Sequence, residues 1–135
     1  MNKSITTFEQ ALAFAGTEKE KAFFANKELM ESIETDEMAY KRLKVITRAI
    51  NTNPETGKTW TPNWNDSSET KYQPWFEIEA DAERPAGFGF SDGAYGRWHT
   101  LTLCGSRLCF ESAEGYYHAM EHFRDEYLPF ILIKE

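Results

Sequence analysis

The hydrophobic spacing of this 135-residue chain is helical in its first fifty residues and alternates directly after Pro74, and that change limits the folds open to it. In residues 1–50, apolar residues recur every three or four positions, which is the spacing of amphipathic helices. After Pro74, apolar and polar residues alternate, which is typical of strands. Helices followed by strands predict an α+β domain rather than the alternating units of a parallel sheet.

Helices are predicted within the first fifty residues. Thr7 with Gln10, and Thr17 with Glu20, match the capping box that begins a helix. A stronger helix is predicted to begin near Thr35, and its apolar face consists of Ala39, Leu43, Ile46 and Ile50. The opposite face carries Lys41, Lys44 and Arg48. We interpret these three cations as a solvated side rather than a phosphate site.

Residues 51–73 show no periodicity and are predicted to form a long loop or linker. Its large aromatic residues, Trp60, Trp64 and Tyr72, favour an ordered loop that packs on the domain over a base-stacking platform. Gly57, Lys58 and Thr59 are similar to the end of a phosphate-binding P-loop. The leading glycine of that motif is absent and a helix precedes it, so we expect no such site.

Four strands and a final helix are predicted after Pro74. The strands are centred on residues 75–79, 88–90, 98–104 and 107–110. Ser112 is predicted to cap a helix that ends at Pro129, and its apolar stripe consists of Tyr116, Ala119, Met120, Phe123 and Tyr127. We therefore expect N-terminal helices, a four-stranded antiparallel meander, and a C-terminal helix packed on one sheet face. This single predicted domain of residues 1–135 consists of a helical part (residues 1–50), a long loop (residues 51–73), and the sheet with the last helix (residues 74–128).

One contiguous core is predicted between this sheet and the last helix. Its members are Phe76, Ile78, Phe88, Phe90, Leu101, Leu103, Leu108, Phe110, Met120 and Phe123. If these residues face the helix, strand alternation directs Trp75, Trp98 and Arg107 to the opposite face.

Composition excludes several classes of function. The formal net charge is −7, and residues 111–135 contain six acidic and two basic residues, so we expect little affinity for nucleic acid. No apolar run reaches the length of a membrane span, and residues 1–16 lack the pattern of a signal peptide, which predicts a cytoplasmic protein without membrane contact. Cys104 and Cys109 are too few for a disulfide framework and are expected to be reduced.

The most enzyme-like pattern is His118-Ala-Met-Glu121-His122, which matches the H-x-x-E-H zinc motif. Helical geometry predicts that both histidines face water on a bare helix surface without a third ligand. The alternating Glu77 and Glu79 are interpreted as the solvent side of a strand. We therefore expect no catalytic residues, metal or cofactor.

Three segments resemble an uncharacterised protein family of phages and mobile elements of gut bacteria. They are Tyr72–Phe76 (YQPWF), Gly87–Ser91 (GFGFS) and Gly105–Phe110 (GSRLCF), and the likeness covers about residues 35–130. The resemblance implies a phage-infected cytoplasm as the setting and no particular reaction.

The function expected from these observations is that of a non-enzymatic phage-type accessory protein that binds another macromolecule, expected to be another protein. Inhibition of a host nucleic-acid-binding or defence protein is one concrete form. A single-stranded nucleic-acid binder that stacks bases on tryptophans and a metal-dependent hydrolase that uses His118 and His122 are the alternatives. The expected binding residues are Trp75, Trp98 and Arg107, because Trp and Arg dominate interface energetics. The face that carries these residues would be covered by one of three alternatives: the N-terminal helices, a partner protein, or a second copy in a homodimer.

Overall fold

The fold is described from a computed structural model over residues 1–101 and 105–133. In chain order its elements are helices α1 (Phe8–Ala15), α2 (Glu18–Phe24), α3 (Lys27–Glu31) and α4 (Thr35–Ile50), strands β1 (Lys71–Ala80) and β2 (Phe88–Trp98), a 3₁₀ helix (Ser106–Leu108), helix α5 (Ala113–Phe123), a second 3₁₀ helix (Arg124–Tyr127) and helix α6 (Leu128–Ile131). Among the described helices, none combines the length and the apolar character that crossing a bilayer requires.

Helix α4 forms the centre of the fold. Asp36 and Glu37 in its first turn and Arg48 in its last turn match the direction of the helix dipole. The predicted apolar face is confirmed, since Ala39, Leu43, Ile46 and Ile50 are all buried. Val45 and Ala49 are also fully buried, because α1, α5 and α6 contact α4 from different sides. Both core clusters therefore include residues of α4.

Both predicted capping boxes are present at the N-terminal helices. The Thr7 hydroxyl accepts a hydrogen bond from the Gln10 amide, and the Gln10 side chain accepts one from the Thr7 amide. Thr17 and Glu20 repeat this arrangement at the start of α2. Each reciprocal pair satisfies two backbone donors that a helix start leaves without partners.

The predicted four-stranded sheet is wrong, because the described residues form a sheet of only two antiparallel strands. β1 pairs with β2 from Lys71 opposite Trp98 to Ala80 opposite Phe88. Trp98 thus ends β2 rather than beginning a third strand, and residues 102–104 of that predicted strand lie outside the described part of the chain. The predicted fourth strand begins as the 3₁₀ helix, and Phe110 alone forms a bridge, with Tyr72.

Two glycines explain why the sequence predicts a shorter β2 than the structure contains. Gly93 and Gly96 weaken the strand signal because glycine is unfavourable in strands. A Cβ at Gly93 would lie 3.2 Å from the Phe76 ring, and one at Gly96 would lie 2.8 Å from the Trp98 indole nitrogen. Aromatic side chains therefore occupy the space that these glycines leave open on the sheet.

The C-terminal helix is present, and it is shorter than predicted. α5 begins after Ser112, whose hydroxyl accepts a hydrogen bond from the Gly115 amide, and it ends at Phe123. Pro129 does not end this helix and instead lies in the first turn of α6. Proline is tolerated there because the first amides of a helix have no intrahelical acceptor. The stripe residues Tyr116, Ala119, Phe123 and Tyr127 are buried, and Met120 is half-buried.

The predicted core is wrong for several of its sheet residues. Ile78, Phe88 and Leu101 are 48%, 50% and 72% exposed, and Leu103 lies outside the described residues. Leu108, Phe110 and Phe123 are buried, as predicted, while Phe76, Phe90 and Met120 pack at the edge of the core. The reason is that the hairpin extends beyond the helices. α5 and the following 3₁₀ helix contact its base near Tyr95 and Phe76 and leave its far end uncovered.

Candidate functional site

Trp75 and Trp98 lie on the same face of the β1–β2 hairpin, as strand alternation predicts. Trp75 is opposite Ala94, and Trp98 is opposite Lys71. The other face carries Phe76, whose ring centroid is 5.2 Å from that of Tyr127 in the helical layer. The tryptophans therefore face away from that layer. Trp75 is 47% exposed, whereas Trp98 is half-buried.

The tryptophan face is covered at one end by the loop before β1. Lys71 belongs to this face, and its side chain is fully buried. Its three N–H donors are shared among four backbone carbonyl oxygens, those of Asn63 (2.6 Å), Asp66 (3.2 Å), Glu69 (3.0 Å) and His99 (2.7 Å). The ammonium also lies 5.2 Å from the centre of the Trp64 ring. The loop is thus ordered around one buried cation, and the cover ends before Trp75.

Arg107 lines a cationic cleft of about 540 Å³, and neither Trp75 nor Trp98 lines it. The lining consists of Lys44, Arg48, Thr59, Trp60, Thr61, Pro62, Arg107 and Cys109. The structure thus divides the three predicted binding residues between two places. Sequence inspection missed Lys44, Arg48 and Trp60 as partners of Arg107, because residues so distant along the chain meet only after folding.

The three cations of the cationic cleft differ in how their charges are balanced. The prediction that Arg48 is simply solvated is wrong. Its guanidinium donates to the Glu20 carboxylate at 2.6 Å and to the Ala15 carbonyl at 2.9 Å. Burial alone would raise the pKa of Glu20, but the hydrogen bonds from Arg48 and Thr17 outweigh it and lower that pKa. Lys44 and Arg107 have no carboxylate partner within residues 1–101 and 105–133. They leave net positive charge in the cleft.

Cys109 lies in the wall of this cleft and is an unreactive thiol. It is 2% exposed, and burial raises the pKa of its thiol to about 11. The thiolate is the nucleophilic form of cysteine, so almost none is present at neutral pH. Cys109 therefore does not supply a nucleophile, and Cys104 lies outside the described residues.

The prediction that both histidines of the H-x-x-E-H motif face water is wrong for His118. This side chain is only 9% exposed, and its Nε2 lies 2.6 Å from the carbonyl oxygen of Ile5. His122 remains partly exposed, and its ring centroid is 4.6 Å from that of His118. The N-terminal segment, which packs over α5, accounts for the difference because helical spacing cannot report a neighbour from a distant part of the chain.

The far part of the hairpin is both acidic and partly apolar at its surface. Residues 75–92, here called the acidic hairpin, contain five acidic side chains and one basic side chain, Arg84. Glu77, Ile78, Glu79 and Ala80 are all exposed, so both faces of β1 meet solvent there. Phe88 is half exposed on the paired strand. The acidic hairpin thus presents large apolar side chains among carboxylates.

No protein-family model matches the chain, and comparisons with curated proteins and with solved structures found no similar protein.

Proposed function

We propose that the protein acts without catalysing a reaction, by binding a basic surface of another protein through the acidic hairpin. The observation that carries this proposal is the exposure of Trp75, Ile78 and Phe88 on a hairpin segment with five acidic residues and one basic residue. Ile78 and Phe88 lie on the face that also carries Phe76, and Trp75 lies on the opposite face, so this segment exposes large apolar side chains on both of its faces.

The chemistry of the acidic hairpin matches that of protein interfaces. Tryptophan is enriched among the few residues that contribute most of the binding energy, and Trp75 is available for that role. Carboxylates around it attract a positively charged partner and accelerate encounter, while they repel polyanions. The partner expected from this combination is a protein with a basic face that has an apolar depression near its centre.

A nucleic-acid-binding protein, including a defence protein that acts on nucleic acid, has a basic surface of this kind. Inhibition of such a protein in a phage-infected cell is the concrete form of the proposed function, and the phage setting rests on the sequence resemblance alone. The acidic hairpin would occupy the basic surface that otherwise holds phosphates. The alternative is that a second copy of the chain binds the same hairpin and forms a homodimer. Light scattering would identify the homodimer by its doubled mass.

The proposal predicts that variants of the acidic hairpin lose binding while the fold persists. Wild-type protein would be used to capture a partner from bacterial lysate, and the dissociation constant would then be measured with that partner purified. We expect Trp75→Ala to weaken binding about tenfold or more, because truncating an interface anchor costs at least about 1.4 kcal/mol. Glu77→Lys with Glu79→Lys should weaken it further and reduce its salt dependence.

Matched controls lie on α3, away from the hairpin. Leu29 is 46% exposed, so Leu29→Ala removes a similar apolar surface, and Glu28→Lys reverses one exposed carboxylate. Both controls should bind like the wild type. Equal binding by hairpin and control variants, a captured partner without a basic surface, or a hairpin-dependent homodimer would each reject the proposal.

A second candidate function is binding of single-stranded nucleic acid, and the cationic cleft is the observation that favours it. Lys44 and Arg107 lie there beside Trp60, which combines phosphate-binding charge with a base-stacking ring. If this function is correct, a fluorescent oligonucleotide should bind with strong salt dependence, and Lys44→Ala with Arg107→Ala should weaken binding about tenfold. Lys19→Ala, on exposed α2, is the control. Unchanged affinity in the double variant would exclude the cleft.

A further inference from the structure

We propose that His118, Glu121 and His122 form a binding site for a transition-metal ion such as Zn²⁺ on the surface of α5. One nitrogen of each imidazole and one carboxylate oxygen lie within 4.8 Å of one another. The site is independent of the acidic hairpin and of the cationic cleft, and no catalytic role is assigned to it.

The buried position of His118 supplies the support that the sequence pattern lacked. A carbonyl oxygen only accepts hydrogen bonds, so the Nε2 that lies 2.6 Å from the Ile5 oxygen must carry the proton. In the neutral imidazole this leaves Nδ1 with its lone pair, and Nδ1 has no hydrogen-bond partner among the described residues. A metal-binding histidine is typically oriented in this way, by donating its other N–H to a backbone carbonyl or a carboxylate.

The distances within the cluster are close to those of metal coordination. Bonds of about 2.0–2.2 Å in tetrahedral geometry place two ligand atoms roughly 3.4 Å apart. Nε2 of His122 is 3.7 Å from the Glu121 carboxylate. All three ligand-atom separations are within 4.8 Å, so the Glu121 and His122 side chains, which are 73% and 28% exposed, have to rotate toward His118 to reach coordination distance. The spacing of four between the histidines places them on one face of the helix.

The donor set determines which ions fit. Two imidazole nitrogens and one carboxylate oxygen suit Zn²⁺, Co²⁺ and Ni²⁺, whereas Mg²⁺ and Ca²⁺ prefer sites made entirely of oxygen. Three protein ligands leave the fourth position of a tetrahedral ion to water, as in other sites with two histidines and one glutamate.

The test is titration of the full chain with zinc chloride, followed by isothermal calorimetry and by competition with a zinc-sensitive dye. We expect one Zn²⁺ per chain and a Co²⁺ complex with the visible absorption of tetrahedral geometry. His122→Ala should weaken Zn²⁺ affinity at least tenfold, and Glu121→Gln should weaken it less. Both changes are at exposed positions, so the variants should keep the wild-type circular dichroism spectrum.

His99→Ala is the matched control, because His99 is exposed and is the third histidine of the chain. Its variant should bind Zn²⁺ like the wild type. The proposal would be overturned by the absence of stoichiometric binding, by equal affinity in the wild type and His122→Ala, or by loss of binding in His99→Ala.

Discussion

Phe123→Ala should lower the free energy of unfolding by about 3–5 kcal/mol, as expected for truncation of a buried aromatic side chain. Phe123 is 3% exposed and belongs to the core cluster around α4, where it contributes a ring from the last turn of α5. Its removal leaves a cavity that the neighbouring helices cannot fill without moving. Chemical denaturation with urea measures the loss, and the thermal midpoint should fall by roughly 10–20 °C.

Phe88→Ala is the control for this prediction, because the substitution is identical and the environment differs. Phe88 was also predicted to be a core residue, but it is 50% exposed at the far end of the hairpin. Its truncation should cost about 1 kcal/mol or less, since much of its surface is already in water. Equal losses of stability for Phe123→Ala and Phe88→Ala would show that the hairpin packs on the core more extensively than the exposure of Phe88 indicates.

Lys71→Met should have the second largest effect, with a loss of about 2–4 kcal/mol. The methionine side chain is unbranched, one atom shorter than that of lysine, and provides no donor, so the four backbone carbonyls around the ammonium lose that partner. Hydrogen bonds to a charged donor contribute about 1.5–3 kcal/mol each, but water can replace part of them once the loop loosens. The Glu69 carboxylate, 3.2 Å from the ammonium, loses its ion pair as well.

The loss should be concentrated in the loop that Lys71 holds. Limited proteolysis should cleave residues 60–70 faster in Lys71→Met than in the wild type, and tryptophan fluorescence should change because Trp60 and Trp64 lie in that segment. Lys58→Met, at an exposed position earlier in the same loop, should change stability by no more than about 0.5 kcal/mol. Wild-type stability in Lys71→Met would mean that the loop is held by its aromatic contacts alone.

The local helix predictions succeeded for a clear physical reason. A capping box joins residues three positions apart, and an apolar helix face joins residues three or four positions apart. Thr7 with Gln10 and the Ala39–Ile50 face of α4 therefore depend on interactions within one or two turns. Alternation along each strand is also local, but the common face of Trp75 and Trp98 depends in addition on the register that pairs Lys71 with Trp98.

The sheet prediction failed because a strand needs a partner that the local pattern does not identify. Leu108 and Phe110 have the spacing of a strand face, yet their burial comes from packing in two core clusters after a 3₁₀ turn. β2 continues through Gly93 and Gly96 because pairing with β1 compensates for the weak strand preference of glycine. Because of tertiary pairing, the sheet has fewer strands than predicted and its second strand is longer than predicted.

The sequence alone determined the α+β class, the starts of α1, α2, α4 and α5, the central helix face and the acidity of the chain, since each depends on composition or on neighbours within a few residues. Only the tertiary structure decided that Lys71 and His118 are buried, that Lys44, Arg107 and Trp60 share one cleft, and that Ile78 and Phe88 remain exposed. Burial and convergence are produced by contacts between distant parts of the chain. A spacing of two or four residues specifies a direction from the backbone, and the packing of the whole fold determines what lies in that direction.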